Sequence, residues 1–131
     1  MDVATALHGF FSSRRDGIAA VYLFGSEARG TPRKDSDVDV GILFDRAPPA
    51  TLDSPVFAIQ AELETLLGRT VQVVALNSAP AALVHRVFRD GKVVFEADRP
   101  ARIRFVVARQ REYFDLLPIL RRCTGREAAR P

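Results

Sequence analysis

The chain contains one cysteine, Cys123, two lysines, Lys34 and Lys92, two histidines, and no long apolar run. A lone cysteine excludes an internal disulfide and suits a reducing compartment. Crossing a bilayer as a helix takes about 20 consecutive apolar residues, so no membrane association is expected. The opening Met1-Asp2-Val3-Ala4-Thr5 lacks the basic start and apolar core of a signal peptide, and the expectation is a cytoplasmic protein. Charge of one sign is also scarce, because the formal net charge is only +3. That imbalance is too small to argue direct nucleic-acid binding. His8 and His85 stand without metal-ligand spacing and read as surface or partly packed residues, and Cys123 reads as structural.

With 131 residues, 47% hydrophobic and 27% charged, the chain reads as a single domain over 1–131, large enough to bury a core of its own. Arginine replaces lysine almost throughout. Two explanations stay open: genomic base composition, or a surface suited to an acidic or phosphate-bearing partner.

Periodicity orders the elements. Val3, Leu7, Phe10 and Phe11 predict an amphipathic helix from Val3 to about Arg15. Ile18–Phe24 and Val38–Phe44 read as strands joined by a polar loop with Gly30 and Pro32. After the Pro48-Pro49 linker, Ser54 caps a helix with Pro55 in its first position, and Gly68 ends it. Val71–Leu76 is a third strand. A short helix follows with Pro80 in its first turn and Leu83, Val84, Val87 and Phe88 as its apolar side. Asp90-Gly91 then turns into a strand at Val93–Phe95. Residues 98–122 form a C-terminal helical segment that Pro118 should kink or break near Leu117, and the polar tail beyond should fray. The expected class is α/β (α+β), a small mixed sheet flanked by helices.

The most informative stretch is Gly25-Ser26, ten intervening residues, and then Asp37-Val38-Asp39. Residues two apart on a strand share a face, so Asp37 and Asp39 project together and are placed to share a divalent cation. Magnesium takes oxygen ligands, commonly one or two carboxylates plus substrate phosphates and water. Gly25 lets a phosphate approach the backbone, and Ser26 offers a hydroxyl and a cap for a following helical turn. Arg29 and Lys34 are candidate cations for a triphosphate, although Arg29 has an equal claim to pairing with Asp35 or Glu27. Asp35 and Ser36 read as loop-shaping residues, and Asn77 as a loop cap.

Gly25-Ser26 with Asp37-x-Asp39 resembles the signature of the DNA polymerase β-like nucleotidyltransferase superfamily. The surrounding Gly-Ser-x-Ala-Arg-Gly and Ser-Asp-Val-Asp-Val-Gly-Ile-Leu are similar to its minimal nucleotidyltransferase (MNT) group. Residues 67–80, Leu83–Val87 and Gly91–Glu96 resemble the following strand, helix and strand. Arg102–Phe105, Tyr113–Asp115 and Pro118–Arg122 resemble the tail of the MntA-like branch, antitoxins paired with HEPN-domain toxins. The resemblance implies a polymerase β-like palm fold. It also implies transfer of AMP from ATP, with Mg²⁺, to a tyrosine of a HEPN ribonuclease toxin held in a hetero-oligomer. Asp37 and Asp39 would be the metal ligands, with Gly25, Ser26, Arg29 and Lys34 at the nucleotide.

The chain departs from that pattern where the family places a third catalytic aspartate. Val71-Gln72-Val73-Val74 puts Gln72 there, and Ala75 stands where relatives often carry another acid. An amide offers a neutral oxygen but cannot act as a base. Two alternatives follow: a catalytically degenerate antitoxin that neutralises by binding alone, and a transferase acting on a small molecule. The latter usually needs an extra substrate-binding domain. An acceptor protein would have to dock on so small an enzyme, and Phe105 and Phe114 beside Arg102, Arg104, Arg109 and Arg111 are candidates for that surface, with core packing the competing fate.

Overall fold

A computed structural model describes residues 2–14, 17–28 and 37–128. Four strands, β1 (Ile18–Phe24), β2 (Val38–Phe44), β3 (Val71–Ala75) and β4 (Lys92–Glu96), lie in the order β3-β2-β1-β4. The β1–β2 and β1–β4 pairs are antiparallel and β2–β3 is parallel, so the sheet is mixed, as expected. Four helices, α1 (Val3–Ser12), α2 (Pro55–Leu67), α3 (Ala81–Asp90) and α4 (Arg99–Ala128), cover it.

The parallel pair needs a crossover, and α2 supplies it. Its limits follow local chemistry. Ser54 Oγ accepts from the Val56 amide at 3.3 Å, Pro55 opens the helix, and Gly68 closes it at φ 64°, donating to Glu64 O. From α2, the Glu64 and Gln60 side chains accept the Val71 and Val73 amides, each at 3.1 Å. These bonds satisfy two amides of β3, the strand at that edge of the sheet among the described residues.

The two faces of the sheet bury separate clusters. Val21, Leu23, Val38, Val40, Ile42, Val71 and Val73 pack with Leu7 and Phe11 of α1 and Ile59 and Leu63 of α2. On the other face Ala20, Tyr22 and Leu43 pack with Leu76, Val84 and Val87, and α4 contributes Ala101 and Phe105.

Several boundaries differ from the sequence expectation. Helix α1 stops at Ser12, short of Arg15. Strand β3 ends at Ala75, because Leu76–Ser78 turn as a 3₁₀ segment that buries Leu76. Asn77 locks that turn, accepting from Phe44 N and donating to Phe44 O, both at 2.9 Å, the capping role expected of it. Pro80 is the cap residue before α3, not part of its first turn. The largest correction concerns α4, which does not break at Pro118 but continues as helix to Ala128. A single proline removes one i→i−4 bond, and Leu116, Leu117, Leu120, Arg121 and Arg122 around it are strong helix formers that carry the helix past the gap.

Candidate functional site

Register places the candidate residues. Phe24, Asp39 and Gln72 are direct partners across β1, β2 and β3, and paired residues present their side chains on one face. Asp39 therefore sits between Phe24 and Gln72, on the face opposite Val38 and Val40. Asp37 lies two residues earlier, just before the strand, and is exposed where Asp39 is half-buried. Both carboxylates line one cleft of about 550 Å³ together with Phe24, Gly25, Ser26, Gln72, Val74, Leu83, Arg86 and Asp90. The carboxylates are not splayed to opposite sides of the sheet.

Gly25 has φ +75°, and a Cβ added there would lie 2.2 Å from Asp39 Oδ2. Its first job is therefore to make room for the Asp39 carboxylate, a role the sequence reading assigned to phosphate approach alone. Residues 25–28 form a turn, so Ser26 lines the cleft without capping a described helix. Glu27 pairs with Arg69, tying that turn to the loop before β3. Arg29, Lys34, Asp35 and Ser36 lie outside the described residues.

Three cleft residues on α3 escaped the sequence reading as site residues. Leu83, Arg86 and Asp90 follow i, i+3, i+7 spacing and share a helix face, while Val84 and Val87 on the adjoining face are fully buried. Their spacing was visible, but only the docking of α3 shows that this face meets the ends of β1–β3. Asp90 is held by Arg89 through two bonds of 3.1 and 3.0 Å, which also raise the Arg89 pKa.

The donor set fits one hard cation. Asp37, Asp39 and the Gln72 amide offer oxygens, the donor type magnesium prefers, and a nucleotide would complete the shell. Among the described residues no group of three or more His, Cys, Asp or Glu side chains is placed to hold a metal. A hollow of about 600 Å³ at the far end of β2, lined by Arg14, Phe44, Pro48 and Ile59 among others, is slightly larger. It lacks the paired carboxylates, and chemistry favours the smaller cleft.

The remaining candidates divide. His8 Nδ1 lies 3.0 Å from Val94 O, and His85 stacks on Tyr113 with centroids 4.0 Å apart, so both are packing histidines. Phe105 packs edge-on to Phe88, Arg102 engages Glu96 and Tyr22 OH, and Arg109 bonds Glu112 and Ala79 O. Phe114 is 56% exposed, in company with Ile103 and Val107 on α4, and Arg104 and Arg111 are exposed beside them. No helix among the described residues is long and apolar enough to cross a membrane.

Comparison with known proteins places the fold and the family. The chain is 32% identical over 76 residues to protein adenylyltransferase MntA of Thermococcus cleftensis, a match covering 58% of this chain and 74% of that protein. Its fold superposes on a chain of a toxin–antitoxin crystal structure with AMP-PNP at a TM-score of 0.79 and 21% identity, covering 98% and 99% of the two chains. A chain from the complex of tri-AMPylated Shewanella oneidensis HEPN toxin with MNT antitoxin matches at 0.72 and 19% identity, covering 97% and 96%. At these identities the superpositions establish the fold. Residues 7–100, which span the sheet, the Gly-Ser turn and both aspartates, match the model of the polymerase beta nucleotidyltransferase family, and the chain belongs to that family.

Proposed function

We propose that this chain is an MNT-type antitoxin that binds ATP with Mg²⁺ in the cleft and transfers AMP to a tyrosine of a HEPN-domain toxin. The observation that carries this reading is the convergence of Asp37, Asp39, Gly25 and Ser26 in one cleft. Its support is the likeness to a protein adenylyltransferase and to a toxin–antitoxin fold. Asp37 and Asp39 would hold the metal, with Gln72 offering its carbonyl oxygen. When bound, Mg²⁺ offsets phosphate charge and orients the triphosphate. Ser26 donates its hydroxyl to phosphate. The exposed Ile103, Val107 and Phe114 of α4, flanked by Arg104 and Arg111, form the face we assign to the toxin.

Gln72 limits the chemistry. It takes no proton from the acceptor phenol, and general base catalysis is typically worth about 10²–10⁴-fold in rate. Transfer in this chain is therefore expected to be slow. The same residue favours a second reading, a degenerate transferase that neutralises its toxin by occupying a surface.

Labelled ATP, Mg²⁺ and the co-encoded toxin separate the two. Label on a toxin tyrosine, abolished by Asp37→Ala or Asp39→Ala, is the expected result. Gln72→Asp should raise metal affinity and, if the new carboxylate serves as base, the transfer rate by up to about 10²-fold. A stable complex with no label, neutralised equally by both alanine variants, refutes catalysis and leaves binding alone.

A further inference from the structure

Arg86 is the only cation among the described residues that lines the cleft. Its surroundings set it apart from five other arginines. Arg14, Arg69, Arg89, Arg102 and Arg109 each hold a carboxylate, whereas Arg86 forms no ion pair among the described residues. Asp90, the other charged residue α3 brings to the cleft, is matched by Arg89 and does not claim it.

The aim of Arg86 is set by packing. Val84 and Val87 are fully buried on the sheet, His85 stacks on Tyr113, and Phe88 meets Tyr22 and Phe105. These contacts fix the rotation of α3 from two sides, leaving Leu83, Arg86 and Asp90 facing the cleft. An exposed guanidinium with no ion pair among the described residues is thus carried on the α3 face that lines the same cleft as the Gly-Ser turn. A divalent ion on Asp37 and Asp39 would balance those two carboxylates and leave the remaining charge of a polyphosphate unmatched. Arginine suits that remainder, since its planar fork of donors grips phosphate in bidentate fashion.

We propose that Arg86 is the α3 contact for the polyphosphate tail of the bound nucleoside triphosphate, and so the residue that makes this cleft prefer ATP to AMP. The inference rests on the nucleotide-binding reading above. It does not require transfer, so it holds for an active or a degenerate chain.

Equilibrium binding of ATP and of AMP to the full chain, each with Mg²⁺, tests it. Arg86→Ala should weaken ATP binding by about 10- to 100-fold while leaving AMP binding nearly unchanged. Arg86→Lys keeps the charge but loses the fork, and should fall between. Arg46→Ala removes the same charge beside the far hollow and should match the wild type. Should the alanine variant fail to fold, the lysine variant alone must still show a reduced ATP-to-AMP preference. An unchanged preference in the Arg86 variants, or an equal loss in Arg46→Ala, overturns the assignment and leaves the nucleotide reading intact. A wild-type protein that binds no ATP overturns both.

Discussion

Along β2, Val38, Val40 and Ile42 are fully buried against α1 and α2, while Asp39, with Asp37 just before the strand, lines an open cleft on the other side. The two sets alternate residue by residue, so one seven-residue strand serves packing and chemistry at once. A one-residue slip would turn the Asp39 carboxylate into the α1–α2 core and move Val38, Val40 and Ile42 out of it. The apolar face therefore pins the register that holds the aspartates in place.

Breaking each face in turn should separate the two roles. Ile42→Ala, on the packed face, has the largest expected effect on stability, a loss of about 2–5 kcal/mol, read by thermal or urea unfolding. Any of the variant that remains folded should bind ATP normally. Gly25→Ala comes next. Forcing a left-handed backbone on alanine costs roughly 1–2 kcal/mol, and its Cβ would collide with Asp39 Oδ2 at 2.2 Å, so ATP binding should be lost along with the smaller drop in melting temperature. Normal ATP affinity in this variant would contradict the tight seating of Asp39 against the turn. Asp39→Ala should shift stability least, by under about 1 kcal/mol in either direction, yet remove Mg²⁺-dependent ATP binding. A large loss of stability there would show that the charged face also holds the fold.

Much of this organisation could be read along the chain. β1 and β2 match their expected limits, because their apolar patterns end at Gly25 and at the Asp45-Arg46 pair. α2 matches as well, because Ser54, Pro55 and Gly68 are local start and stop signals. The two aspartates and the Gly-Ser turn were legible because strand alternation is a local rule. The errors arose where a distant contact or the neighbouring residues overrode a single local signal. Leu76 leaves β3 early because a buried site awaits it between the sheet and α3. The strong helix formers around Pro118 carry α4 beyond it. Arg86 has no local mark at all, and its meaning comes from which face of α3 the core leaves uncovered.

By itself, then, the amino-acid order determined the alternation that puts two acids on one side of a strand, the caps that delimit α2, and the amide at position 72, since each depends on neighbours within a few residues. Only the tertiary structure decided that Gly25 must stay bare for Asp39, that Gln72 lies beside that same carboxylate, and that Arg86 faces them. Those relations join segments far apart in the chain, and they exist only once the two apolar clusters have set the strand register and the rotation of α3.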